Sequence, residues 1–309
     1  DKNNNTVQAS AGMIGAASHT DPQTDGGAAS ALLNDLVIVN ENGRTQTIFV
    51  QQTPRSSGRD GFGPSEQQPD YGVLTTNVTA LRSAFLEASD AAIRNSGPKA
   101  LSTITPAQIE ALASRPAVIK DGKTTADGRL SMGRFTSGFA LYLGLFLDGG
   151  GLQNIFGEAY ELQGYQSEHF IFGPDSQFIP SKGRASYLFT GGTASTASDG
   201  SSIGTGVTAG ELLFDFALGT GEIDMDVAHG LENFNVFGAL QFESDRRFFI
   251  DNDVIAETTD DVYQTSIDGF LSVPNYQGGR SPTAAGLGYV IGKDVGIHGV
   301  AGFGLDKET

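Results

Sequence analysis

The residues able to do chemistry are few, and most stand alone. Histidine occurs four times, at His19, His169, His229 and His298. Iron in a haem takes His or Tyr facing an apolar cavity. His169, in Glu168-His169-Phe170, and Tyr187 are therefore the haem candidates, with Tyr165 also nearby in sequence. Set against this, a lone histidine more often packs on a strand face or caps a turn. There is no His-x-His, no H-E-x-x-H and no histidine pair at helix spacing. Asp251, Asp253, Glu257 and Asp260, with Asn252 and Asp261 among them, are the calcium candidates, because closely spaced carboxylates are what a hard cation needs. The EF-hand glycine and spacing are missing, and a solvated acidic hairpin loop is the competing reading. Glu222, Asp224 and Asp226 fall on one face of one strand, ~7 Å apart. Charges so placed form a wet outer surface or a contact for a basic partner.

Nucleophile patterns do not assemble. Gly183-Arg184-Ala185-Ser186-Tyr187 lacks the final glycine of a nucleophile elbow. Gly204-Thr205-Gly206 lacks the lysine of a phosphate loop. In so acidic a chain no carboxylate pair stands out for glycoside hydrolysis. Cysteine is absent, which removes disulfides, thiolate zinc, iron–sulfur clusters and cysteine catalysis. The expectation is a protein that is not an enzyme, with no catalytic residue and no required cofactor.

The elements that position these residues follow from composition and period. The 309 residues include 42 Gly, about twice the usual share of roughly 7%. Asp and Glu number 36 against 19 Lys and Arg, a net charge of −17 that repels phosphate backbones, so nucleic acid is not an expected partner. Charge and aromatics are uneven. Residues 1–128 carry 13 acids, 10 bases and four aromatics, whereas 129–309 carry 23 acids, 9 bases and 24 aromatics. This predicts a boundary near Asp121-Gly122-Lys123, where turn residues cluster. The expected domains are a polar arm over 1–30, a small α+β region over 31–128 and a β-barrel over 129–309.

In the first part, Leu36-Val37-Ile38-Val39 and Thr47-Ile48-Phe49-Val50 flank Asn40-Glu41-Asn42-Gly43, a hairpin signal. Residues 53–72 read as a loop. Two helices are expected, one from the Asn77 cap to Gly97-Pro98 and one from Thr105-Pro106 to Pro116. In the second part period two dominates. Leu212, Phe214, Phe216 and Leu218 alternate with Glu211, Leu213, Asp215 and Ala217, and Ile223, Met225 and Val227 alternate with the acids. With further strands at 135–147, 168–172, 184–189, 233–243, 246–250, 262–272, 285–291 and 295–304, an antiparallel barrel of eight to ten strands is predicted. Acidic strand faces and the absence of Trp fit a soluble barrel better than one facing lipid.

Pro180 followed by Gly183-Arg184-Ala185-Ser186-Tyr187-Leu188-Phe189-Thr190-Gly191 resembles the opening strand of transferrin-binding-protein-like β-barrels. The hairpin Glu211–Leu218 and Glu222–Val227 is similar to theirs, as are Ala285–Tyr289 and Gly299–Gly304 to their closing strands. The likeness covers about residues 130–309, and nothing matches the second lobe of those proteins. It implies a bacterial protein of the outer-membrane surface or exterior, binding haem, an iron carrier or another protein, with an outer-membrane transporter as a further partner. The family's lipid-anchoring cysteine has no counterpart here. The polar start Asp1-Lys2-Asn3, without Met, reads as trimming or as a mature chain after removal of an export signal. The alternative function is a structural surface protein that self-associates through residues 1–30, which hold too little apolar surface to order themselves.

Overall fold

The computed structural model describes residues 118–308, apart from 126–128, 137–138, 149–150, 162–163, 177–178, 244–245, 273–281 and 293–294, together with 6–9, 13–19, 27–41, 44–51 and 70–73. Two units form, and the chain passes between them repeatedly. One comprises Asp1–Ala11, Leu32–Val118 and Ser137–Leu162; the other comprises Gly12–Ala31, Ile119–Thr136 and Gln163–Thr309. The composition shift at Asp121-Gly122-Lys123 falls inside a strand, Val118–Thr124, close to where the chain crosses from the first unit to the second between Val118 and Ile119; further crossings follow at Ser137 and Gln163. Charge and aromatic content track surface and core within each unit, and they are blind to a chain that weaves between units.

β3 (Gly27–Glu41), which lies in the first unit from Leu32 onward, makes the expected hairpin with β4 (Arg44–Gln51), with Leu36 opposite Phe49 and Glu41 opposite Arg44. β1 (Thr6–Ala9) adds to β3, pairing Thr6 with Val39. A separate sheet runs β5 (Asp70–Val73), β8 (Phe139–Asp148), β9 (Gly151–Glu161). The loop expected over 53–72 therefore ends in a strand, whose partner 70 residues on leaves no local mark. Both expected helices lie outside the described residues.

The second unit holds the barrel. Its eight antiparallel strands are β11 (Arg184–Gly192), β13 (Gly206–Asp215), β14 (Thr220–His229), β15 (Glu232–Phe242), β16 (Phe248–Glu257), β17 (Val262–Ser272), β18 (Ala284–Ile291) and β19 (Ile297–Glu308). β11 pairs with both β13 and β19, which closes the circle and leaves no edge. A short β12 (Thr196–Ala197) pairs with β19 beyond the end of β11. The expectation of a barrel across 129–309 is narrowed to Arg184–Glu308. Ahead of it, β2 (Met13–His19), β10 (Ser167–Pro174), β7 (Ser131–Thr136) and β6 (Val118–Thr124) form a flanking sheet, in which β10 pairs with β2 and β7. The predicted run 135–147 is thus split between β7 and β8. Of the 1–30 arm, residues 6–9 pair with β3 and residues 13–18 with β10 of the same chain.

The period-two signal sets the register. On β14, Ile223, Met225 and Val227 point in while Glu222, Asp224 and Asp226 stay exposed. Leu212, Phe214 and Phe216 are buried as expected. Leu218 is not: β13 stops at Asp215, whose Oδ1 accepts the Ala217 and Leu218 amides, and Gly219 at φ +71° turns the chain into β14. Leu218 stands on that turn, 73% exposed. Tyr187, Phe234, Val236, Phe249, Ile267, Leu287, Tyr289 and Phe303 fill the rest of the interior.

One packing contact is a direct test of the fill. Tyr289 lies opposite Gly299, and a Cβ at Gly299 would fall on the Tyr289 ring and Oη. Gly299→Val is expected to cost about 1–3 kcal/mol through overpacking, read as a lower denaturation midpoint with unchanged slope.

Candidate functional site

The outer wall of β13–β16 is one candidate. These four strands carry nine carboxylates, at Glu211, Asp215, Glu222, Asp224, Asp226, Glu232, Asp251, Asp253 and Glu257, and neither Lys nor Arg. Cross-strand register brings like charges together, with Glu211 directly opposite Asp224. Such a pair destabilises a sheet unless something compensates. The Asn235 Nδ2 offers partial relief, donating to Asp224 Oδ1 at 2.9 Å and reaching Asp226 Oδ1 at 3.5 Å. At one end of this wall a groove of about 650 Å³ is lined by Glu211, Leu213, Asp215, Leu218, Glu222 and, from β11 and β19, Arg184, Asp306 and Lys307. Leu213 and Leu188 are each 44% exposed beside these charges. The Leu218 amide first, and then the Arg184 guanidinium at 2.9 Å, hold the Asp215 carboxyl below its ordinary range.

A second cluster lies where the flanking sheet meets the barrel. His169 on β10 is fully buried, with Nδ1 2.8 Å from Thr193 Oγ1 and Nε2 2.7 Å from Thr196 Oγ1. Its neighbour across β7 is Arg134, which donates to Asp121 Oδ2 and, at 3.1 Å, to Ser167 Oγ. Asp121 sits at φ +54°, a conformation its short side chain tolerates, and its carboxylate also accepts the Ala194 amide. Burial, then His298, then Arg134 hold the His169 ring well below its ordinary value. His229, at the end of β14, bridges Ser195 Oγ at 2.9 Å and Ser202 Oγ at 2.8 Å. Ser195 and His229 resemble half of a hydrolytic triad. The second ring nitrogen meets a serine where a triad has a carboxylate, and Ser195 is buried.

The two haem candidates are not brought together as a pair facing a cavity. Both nitrogens of His169 meet threonine hydroxyls. Tyr187 is buried inside the barrel against Phe214, its hydroxyl donating to the Pro282 carbonyl at 2.8 Å. The calcium candidates spread along an extended strand and its turn. Asp253 and Glu257 are four residues apart on β16, about 13 Å at ~3.3 Å per residue. Asp251 Oδ1 accepts the Ile267 amide across a register irregularity, and Asp260 lies in the turn that Thr258 organises. Among the described residues, no group of three or more His, Asp or Glu side chains converges as a metal site. Arg134, Asp121, Thr193, Ser195 and Ser202 carry no sequence signal of their own; only the register of strands far apart in the chain unites them.

No family model matches the sequence, and no curated protein matches it. Among solved structures, the chain is similar to transferrin binding protein B from Haemophilus parasuis. One variant of that protein matches at 12% identity and TM-score 0.33, covering 63% of this chain and 37% of that one. A second variant matches at 10% and 0.34, covering 99% and 77%. An intact transferrin binding protein B with N and C lobes, Ap-TbpB, matches at 7% and 0.34, covering 100% and 80%. In the first match the chain spans well under half of its neighbour.

Proposed function

We propose that this chain is an exported, non-enzymatic binding protein whose barrel meets a protein ligand through its outer wall. The observation that carries the reading is the contrast between lumen and wall. Aromatic and aliphatic side chains fill the interior, so the barrel is built as a packed support. The wall outside concentrates nine carboxylates with no intervening base and sets exposed leucines among them. A surface that tolerates like charges opposite each other, beside apolar anchors, is complementary to a basic protein face with an apolar centre. The opening strand at Gly183–Gly191, with Ala185 and Tyr187 turned inward, keeps the pattern that resembles transferrin-binding-protein-like barrels, and an iron-carrying protein is the ligand class that resemblance implies.

The test pairs the immobilised chain with a Glu211→Lys, Glu222→Lys, Asp224→Lys variant. All three sites are on the wall and outside the core, so both proteins should melt alike. Blood plasma is passed over each, and iron-loaded transferrin is titrated separately. The expected result is saturable capture by the parent, weakening as salt is raised, and at least tenfold weaker in the variant. Equal capture by both proteins, or none by the parent, overturns the reading.

A further inference from the structure

We propose that the crossover Thr193–Gly204, which joins β11 to β13 at one end of the barrel, is an acid-released latch closed by two histidine rings. Each ring grips the crossover at two points. His169 reaches it from the flanking sheet at Thr193 and Thr196, and His229 from β14 at Ser195 and Ser202. The crossover is tied further by Thr193 N to Val300 O, Ser198 N to Gly296 O and Tyr165 N to Gly200 O, by Gln166 Nε2 donating to Ser198 O and Asp121 accepting the Ala194 amide, and by the β12–β19 pairing. Ala197 N to Ser202 O and Gly204 N to Ser195 O close it on itself.

A neutral imidazole has one N–H and one acceptor nitrogen, and each ring sits between two hydroxyls that supply the complement. At His229 the roles are fixed by a further bond. Ser195 Oγ donates to the Ala228 carbonyl at 3.2 Å, so it accepts from Nδ1–H, and Ser202 donates to Nε2. Protonation converts the acceptor nitrogen into a second donor. The hydroxyl that had donated must then rotate its proton elsewhere and accept instead, and a charge appears in a buried site.

The surroundings of His169 do not receive that charge. From β7, Arg134 lies beside it in register; from β19, His298 lies opposite Thr196. Both repel a cation. The Asp121 carboxylate, from β6, is engaged with Arg134 and the Ala194 amide. β2 contributes Ser18, whose hydroxyl donates to Gly299 O. Glu168 is buried on the opposite face of β10. The depressed ring value described above follows from this setting.

The sign is fixed by linkage. A ring that stays neutral when the latch is closed and regains its ordinary affinity, near 6.5, when it opens takes up a proton on opening. The closed state is therefore fully favoured above about pH 6.5 and loses up to tenfold per pH unit below it. Between pH 7.5 and 5.0, one proton gives ~30-fold more opening.

Hydrogen exchange on the full chain at these two pH values, corrected for intrinsic chemistry, reads this directly. The amides of Thr193, Ala197, Ser198 and Gly204 are expected to lose ~30-fold in protection, while Ile223 and Val236 in the barrel do not. Unchanged protection in the crossover, or an equal loss everywhere, overturns the latch. His169→Gln keeps a donor and an acceptor without the charge, and should abolish most of the pH dependence at Thr193 and Ala197. Should that variant fail to fold, the labelled ring of His169 gives the answer by NMR. Titration near 6.5 with the crossover still protected overturns the proposal; a ring neutral at pH 5.0 until the segment opens supports it.

Discussion

Phe214→Asp will leave the barrel without a cooperative fold. The ring is buried at the crossing of four others, with centroids 5.0 Å from Phe242 and Phe249, 5.7 Å from Tyr187 and 6.4 Å from Phe216. Truncation to alanine alone should cost about 3–5 kcal/mol. Aspartate adds a charge to an apolar, aromatic interior. Set against a net stability of roughly 5–15 kcal/mol for a domain, the sum removes most or all of it. The expected readouts are insoluble protein on expression and loss of the sigmoidal melt. A soluble Phe214→Asp variant with a sharp transition shows the register to be wrong by one residue, since that slip alone would place this position in water.

Arg134→Met is the second large effect, and its contrast with Arg184→Met is the informative part. Both arginines bond an aspartate. Arg134 is 6% exposed, and its partner Asp121 is 30% exposed. Removing the guanidinium leaves that carboxylate without its cation, with the Ala194 amide still donating to it, and takes a donor from Ser167 Oγ. Losing one member of a buried pair costs about 3–5 kcal/mol, and partial exposure of Asp121 brings this to about 2–3. At roughly 2–4 °C per kcal/mol the melting temperature should fall by about 5–10 °C. Arg184 is 73% exposed, so its bond to Asp215 is screened by water and its loss should leave the melt unchanged. Equal shifts in the two variants would show that Arg134 is not held as described.

Strands with one wet and one dry face were legible because alternation encodes both neighbours of the chain, core and solvent. β13 and β14 were read in the correct register on that basis. The same logic failed at Leu218, where the Asp215 side chain ends the strand three residues before the hydrophobic pattern does. It also failed for β10, buried on both faces, and for the 135–147 run, because strands without a polar face do not announce which sheet they join. Among the site residues, the acidic face at Glu222, Asp224 and Asp226 was visible from spacing alone. The histidine cluster was not, since β6, β7, β10, β14 and β19 each contribute one residue of an ordinary type.

The pairing of β2 with β10 also sets an order of events in time. Met13 finds Pro174, Ala185 finds Glu308, and the Ser18 hydroxyl bonds a carbonyl 281 residues away. Closing loops of this length precedes any reward from the contacts, so a topology of this kind folds in milliseconds to seconds rather than microseconds. On a ribosome, the flanking sheet can complete once Pro174 is made, whereas the barrel cannot close until the final strand pairs with β11. The strand that begins at Met13 waits for its β10 partner until more than half of the chain is made. A nascent chain arrested before Ile297 should therefore be degraded by protease throughout the barrel strands, while the β3–β4 hairpin, whose partners are adjacent in sequence, is already able to form.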